Sequence, residues 1–443
     1  MKPIASICLA ISIALIAAPA AMARTRPHYG GVLRIETRAM APDSPQLQAL
    51  VAEPLAELDD QGRVRPLLAD QWESQNGDRR WVFTVHPQIA MHDGTPLTGT
   101  VIADSINAAH TVVPWRSLRG TATAVIVESD APLPNLPALL ASQDFAIARH
   151  SPEGLLIGTG PYKVASSSAA NATLEANDGY WRGRAYIDRV ESYGARPIRT
   201  QWLDLGVNRA DVVEVPGEFL RRAEQDHLRT AAFTPGELVL IVVAPAVREP
   251  KLRHALSLAI DRTSLSGVVF QKQGEPTATL LPNSMTGYGV LFGSAADLAA
   301  ARDLRSQLKQ VPPMTISYDS GDPTLQLAAE RIALNAHDAG ISLQAVPRSA
   351  ITPAQLQLVR VALPSTDPGA CLAGLSHALL GENAVPAANV EALYSQEREI
   401  LEGYQLIPLL HLPSAVAVGE RVRDLQLHWD SADLPNAWIE ERR

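Results

Sequence analysis

MTISYDSGDPTLQLAAERIALNAHDAGISLQAV, residues 314–346, is the stretch that decides the fold class. Met314 to Tyr318 alternates apolar and polar residues, the period of a half-buried strand. Asp322-Pro323 reads as a helix start. An aspartate there accepts from the free N–H groups of the first turn, and proline at the first helical position has no N–H to lose. The helix is expected to reach Ala339, with Gly340 as its stop. Ile341 to Val346 alternates again. A strand, a helix and a second strand make a βαβ unit, and a crossover of that kind points to a parallel or mixed sheet.

The same logic extends outward. Pro250 opens a helix in which Leu252, Ala255, Leu256, Ala259 and Ile260 recur at helical spacing, an apolar stripe suited to packing on a sheet. Leu238 to Val247 is the strongest apolar run after the first residues. At about ten residues, broken by Pro245, it reads as a buried strand and not as a membrane span. Gln396 to Tyr404 reads as the end of a helix and Ile407 to Leu412 as a strand. Nearer the start, Val32 to Glu36 alternates as a strand. Arg79 to His86 does too, with Trp81, Phe83 and Val85 on one face. Asn76-Gly77 before it is a hairpin turn, because both residues tolerate positive φ, and it puts Trp72 on the opposite arm. Thr98 to His110 reads as a helix. Pro132, Pro134 and Pro137 exclude a central strand, and Leu136 to Ala141 reads as a short helix. Thr159 to Tyr162 is a turn that leads into a strand near Lys163 to Ala165.

The chain has 443 residues, 46% hydrophobic and 19% charged, which fits two or three globular domains. Met1-Lys2, an apolar core from Ile4 to Ala18 and the small-x-small site Ala21-Met22-Ala23 read as a cleavable export signal over residues 1–23, with the mature chain starting near Arg24. Cys8 lies inside that apolar core, so lipidation is not expected. Cys371 would then be the remaining cysteine, with no internal disulfide, and reads as a small buried residue. The net charge of −9 and the lack of a basic stripe disfavour nucleic-acid and anionic-lipid partners.

Signatures of catalysis are missing from the sequence. There is no Gly-x-Ser-x-Gly, no His-Glu-x-x-His and no Cys/His cluster of metal-ligand spacing. His92-Asp93 reads as a turn hydrogen-bonding pair, and Gly158, Gly160 and Gly179 lack the spacing of a phosphate loop. The expectation is a non-enzyme, with no cofactor and no metal site.

Several short signatures run the length of the chain: Tyr29-Gly30-Gly31, Glu53-Pro54-Leu55 with Leu58-Asp59, Leu67 to Glu73 (LLADQWE), and His92 to Thr98 (HDGTPLT). Gly158 to Tyr162 (GTGPY), Asn177 to Trp181 (NDGYW), and Arg253 to Arg262 (RHALSLAIDR) continuing to Leu281-Pro282 follow. Together, in this order, they resemble the extracytoplasmic solute-binding proteins of family 5, the group of peptide, dipeptide and nickel importers. The resemblance implies an α/β, bilobal periplasmic-binding-protein fold of type II. Two mixed sheets would be joined by a hinge, with an extra subdomain near the N-terminus. Lobe I would comprise residues 24–45, 157–242 and 418–443. The added subdomain, shortened here, would be residues 46–156, and lobe II residues 243–417. It also implies a periplasmic monomer that captures a small solute, most simply a peptide, between its lobes. The protein would then deliver that solute to an ABC permease and its ATPase.

Two departures bear on the ligand. Arg119-Gly120 runs almost directly into Thr121-Ala122-Thr123, and Leu380 to Asn383 into the next helix, where relatives carry longer segments. In lobe II, Val361 to Pro368 (VALPSTDP) matches the segment where peptide-binding relatives place an aspartate for the ligand's amino group. Pro364 stands in that place, and Asp367 is either a substitute or a turn or helix-capping residue. By position, the candidate ligand-binding residues are Thr37, Arg38, Arg360, Ser365, Thr366 and Asp367. Arg38 and Arg360 suit an anion clamp, with an interlobe salt bridge as the competing role for each. The alternative function is an accessory or sensor protein that keeps the fold with a reduced cleft.

Overall fold

A computed structural model describes residues 26–38, 45–59, 61–109, 113–288, 292–349, 351–365, 367–382, 384–387, 389–427 and 432–440. The export signal expected over residues 1–23 lies outside these.

Lobe I opens with β1 (Val32–Glu36). The chain then leaves for the added subdomain. There β2 (Ala69–Gln75), β3 (Arg80–Val85), helix α1 (Gly99–Ala109), β4 (Ser117–Gly120) and β5 (Ala124–Glu128) follow in turn. Their four strands form an antiparallel sheet in the order β2-β3-β5-β4. Asn76 and Gly77 adopt φ of 54° and 61°, as the hairpin expectation required. Trp81, Phe83 and Val85 are buried on one face of β3, and Ile102 and Ile106 of α1 close the same core.

The chain returns to lobe I as β6 (Tyr162–Ser167), β7 (Asn171–Ala176), β8 (Arg189–Tyr193), helix α2 (Ile198–Gly206) and β9 (Val212–Pro216). The long β10 (Arg229–Val243) leads into lobe II. That lobe holds α3 (Pro250–Ala259), β11 (Met314–Tyr318), α4 (Pro323–Asp338), β12 (Leu343–Pro347) and β13 (Leu356–Ala362). Helices α5 (Pro368–Leu380) and α6 (Val390–Glu402) follow, and β14 (Leu406–Val418) runs back to lobe I. β11, α4 and β12 form the expected βαβ unit, with Met314 opposite Leu343 in a parallel pair. Asp322 caps α4 by accepting from the N–H groups of Thr324 and Leu325, and Gly340 turns left-handed after it.

The sheets of the two lobes are continuous. Their strand order is β6-β7-β8-β1-β9-β14-β10-β13-β11-β12, and the short strand Glu275–Pro276 beside β14 completes an 11-stranded sheet. β10 and β14 belong to both lobes. The β10–β14 ladder runs from Arg229 to Phe233, breaks, and resumes at Glu237 opposite Leu412. On the lobe I side β14 pairs with β9 through Ser414 to Val418. On the lobe II side β10 pairs with β13 through Glu237 to Val243. The crossing therefore lies at Phe233–Glu237 and Leu412–Ser414. The lobe bounds expected from the resemblance, at residues 242–243 and 417–418, fall at the far ends of these two strands. The two strands approach closely at this crossing: a Cβ on Gly236 would lie 2.0 Å from Ser414 Oγ and 2.8 Å from its backbone nitrogen.

The signature residues are mainly fasteners. Glu53, 6% exposed, accepts from Thr159 Oγ1 (2.8 Å), Tyr180 Oη (2.7 Å) and Trp181 Nε1 (3.1 Å), so three separated signatures meet on one carboxylate. Burial pushes that carboxyl upward, against the three donors. His92 Nε2 lies 3.0 Å from the Gly160 carbonyl, and the Gly158 N–H donates to Nδ1. Asp93 accepts from the Thr95 N–H and pairs with Arg149, as a turn residue does. Arg262, 2% exposed, donates to the carbonyls of Pro408 and Ser257 and ties the end of α3 to β14. Cys371 is buried and free, its thiol pushed up to about 12 by burial.

Candidate functional site

The place where ligand was expected, between the ends of the lobe I strands and lobe II, holds a cluster of charge. β1 ends at Glu36, and Thr37 is held by its backbone: its N–H donates to the Tyr193 carbonyl, and its carbonyl accepts from Arg196. The next residue, Arg38, reaches across the crossing. Its backbone N–H and its Nε donate to Glu214 Oε2 of β9 (2.7 and 3.0 Å). Its Nη2 donates to Glu237 Oε1 of β10 (2.8 Å), and Nη1 lies 3.9 Å from Asp322 Oδ2.

Arg360 comes from β13 on the other side. Its Nη2 and Nη1 grip both oxygens of Glu218 at 2.8 and 3.2 Å, a two-pronged pair with a residue just past β9 in lobe I. Nη1 also lies 3.4 Å from Glu237 Oε2, and Nε 3.4 Å from Asp322 Oδ2. The guanidinium carbon sits 5.7 Å from the centre of the Phe270 ring. The Asp322 carboxylate is thus divided: Oδ1 caps α4, while Oδ2 faces both arginines.

Four carboxylates from both lobes therefore surround two guanidinium groups. The Arg360 and Glu218 side chains are 4% and 2% exposed, whereas Arg38 and Glu214 are about a quarter exposed, so the cluster reaches solvent on its Arg38 side. Burial works to raise the Glu218 carboxyl, and the Arg360 charge outweighs it, holding the group below the usual carboxylate range. Burial likewise opposes the charge on both arginines. Glu237 and Glu214 around Arg38, and Glu237, Glu218 and Asp322 around Arg360, outweigh it and raise both above the ordinary guanidinium value. Both cations of the expected anion clamp are thus already engaged by carboxylates.

The other candidates lie elsewhere. Ser365 is buried at the contact of lobe II with the added subdomain, its Oγ 3.2 Å from Ser142 Oγ and accepting from the Asp367 N–H. Asp367 caps α5, accepting from the Ala370 N–H at 2.8 Å; burial raises its carboxyl, against the N–H groups of Ala370 and Gly369. A small, partly open pocket beside it is lined by Leu136, Leu139, Pro386 and Ala387. Thr366 lies outside the described residues. Pro364 packs on α5: a Cβ on Gly374 would come within 2.8 Å of the Pro364 ring.

Sequence reasoning missed Glu214, Glu218 and Glu237, and saw Asp322 only as a helix cap. The available signal was an acid inside an apolar strand, in Val212-Val213-Glu214-Val215 and at Glu237 before Leu238-Val239-Leu240. An acid buried in a strand calls for a cationic partner. Among the described residues no group of three or more His, Cys, Asp or Glu side chains is arranged to hold a metal ion. No helix there is long and apolar enough to cross a membrane.

Comparison with known proteins bears on the family and the fold. The model of the bacterial extracellular solute-binding proteins, family 5, middle region, matches residues 63–355. A nickel-binding periplasmic protein of Escherichia coli is 23% identical over 251 residues, 49% of this chain and 48% of that protein. The glutathione-binding protein GsiB of Pectobacterium atrosepticum is 23% identical over 269 residues, 54% of this chain and 51% of that one. The chain thus matches about half the length of these two relatives. Among solved structures, NikA from Staphylococcus aureus in complex with Ni(L-His)2 superposes with a TM-score of 0.79 at 15% identity. That match covers 92% of this chain and 100% of NikA, a likeness of fold.

Proposed function

Because the chain belongs to the bacterial extracellular solute-binding proteins of family 5, we propose that it is the periplasmic binding component of an ABC importer. It captures a small solute, peptide-like in the simplest reading, between its lobes and hands it to a membrane permease whose ATPase drives uptake. The observation that carries this reading is the pair of long strands, β10 and β14, shared by both lobes. With the ladder interrupted at Phe233–Glu237, they form a hinge beside which polar groups from both lobes converge. A hinge of this kind lets two rigid halves close over a solute, and differential affinity for the open and closed arrangements is what couples binding to motion. The protein performs no chemistry on the solute.

The relatives bear on the class of solute. One binds nickel and one glutathione, itself a tripeptide. A peptide-like solute follows the second of these. Pro364 packs against α5 and offers no charge, so an amino group would have to be met by other carboxylates. Glu214 and Glu237, which bond Arg38 on the solvent-reaching side of the charge cluster, are the groups we assign to that role.

One observation favours a second reading, an accessory or sensor protein. Arg38 and Arg360 are already paired with carboxylates at the contact between the lobes. Native mass spectrometry of the exported protein, taken from its own host, separates the two. A released solute at one per chain supports capture and delivery. A solute-free protein that also fails to bind peptides supplied in excess supports the accessory role.

A further inference from the structure

Arg38 and Arg360 each bond across the line between the lobes, and they do so at the strand crossing itself. Glu237 is the residue where the β10–β14 ladder resumes, next to Gly236, whose backbone touches Ser414. Glu218 follows β9 and Gly217, where a Cβ would meet the Pro413 carbonyl at 2.7 Å. Thus Glu218 and Glu214 of lobe I, Glu237 at the crossing, and Arg360 and Asp322 of lobe II are joined within one set of contacts of 2.7–3.9 Å. We propose that this cluster is a built-in clamp that fixes the interlobe angle of the solute-free protein, so that the hinge rests in one arrangement and is freed to close over a solute only when the Arg360–Glu218 pair parts. The inference rests on the two-lobed reading of the fold and adds a restraint to it.

The physical argument is one of position and burial. A contact beside a hinge controls the angle of the whole lobe. The Arg360–Glu218 pair is nearly solvent-free, so salt screens it weakly, whereas Arg38 on the rim is open to screening and exchange. Parting the pair leaves two buried charges without partners unless water or a new group enters. That favours two discrete states over a continuous range of angles. The two-pronged geometry of Arg360 also fixes orientation as well as distance, which a lysine could not do.

The test measures interlobe distance with no solute present. Leu203→Cys on α2 and Leu334→Cys on α4 place spin labels on exposed positions of the two lobes, while Cys371 is fully buried and out of reach. Pulsed dipolar spectroscopy is expected to give one narrow distance population in the otherwise unaltered chain. In Glu218→Gln combined with Arg360→Met, a broad distribution of distances is expected. A double variant with an unchanged circular dichroism spectrum and cooperative melting that keeps the narrow population overturns the clamp. If that variant does not fold, Arg360→Lys, which keeps the charge but not the two-pronged grip on Glu218, is read the same way: broadening supports the clamp and an unchanged distribution overturns it. Two populations in the unaltered chain also overturn it. Solute capture is scored separately by titration. A protein that binds nothing yet shows the distance change keeps the clamp and loses the transport reading, and the converse result does the opposite.

Discussion

At Arg360 the cost of charge burial is concentrated in one side chain. It is 4% exposed and faces Glu218, Glu237 and Asp322. Removing one partner of such a network strands the others in a medium that solvates them poorly, at about 3–5 kcal/mol. Arg360→Met should lower stability by that amount in urea unfolding, and pairing it with Glu218→Gln should recover part of the loss. A single variant with an unchanged midpoint would refute the buried network. His411 on β14 provides a second test. It is 4% exposed, and burial lowers its imidazole to about 4, below the ordinary value near 6.5. The unfolded chain therefore binds a proton between those values that the folded chain does not. Stability is full above about pH 6.5 and falls as the pH drops toward 4, by about 3 kcal/mol in all. His411→Phe should flatten that part of the stability profile measured in urea from pH 7 to 4. A variant with the same slope would show that other groups carry it.

Elements respond to how closely backbones approach. Gly236→Ala puts a methyl group onto Ser414 at the strand crossing and should cost about 1–3 kcal/mol, read as a lower melting temperature. Gly206, at the end of α2, has nothing within 4 Å of an added Cβ, so Gly206→Ala should be neutral or stabilise by up to about 1 kcal/mol. Equal effects at the two sites would remove the crossing's special status. The same contrast explains what could be read from the chain. Helices α3 and α4 were legible because their starts are written locally: Glu249-Pro250 and Asp322-Pro323 each supply a cap and a proline. Strands β1, β3 and β11 were legible from alternation. The crossing was not, because Phe233 to Glu237 carries no local mark of a change of partner; the pairing of strands far apart in sequence decides it. Arg38 and Arg360 were identified by position, but their glutamate partners lie between 123 and 199 residues away in sequence, beyond any spacing rule. Ser365 and Asp367 were grouped with them by motif, although their local bonds tie them to Ser142 and to α5.

Across the whole molecule, one 11-stranded sheet joins the two lobes and a separate four-stranded sheet builds the subdomain, with signature residues serving as fasteners and charge gathered at the hinge. The central claim is that a solute binds between the lobes. The most direct measurement is calorimetric titration of the exported chain with glutathione, with di- and tripeptides, and with nickel–histidine, run in parallel on Glu214→Gln and Glu237→Gln. The expected result is one saturable site per chain for a peptide-like solute. A negative heat-capacity change should mark the closing of apolar surface, and binding should weaken about tenfold or more in Glu237→Gln, as loss of a hydrogen bond to a charged group implies. Binding that neither substitution alters, or no heat with any of these solutes, would contradict the account.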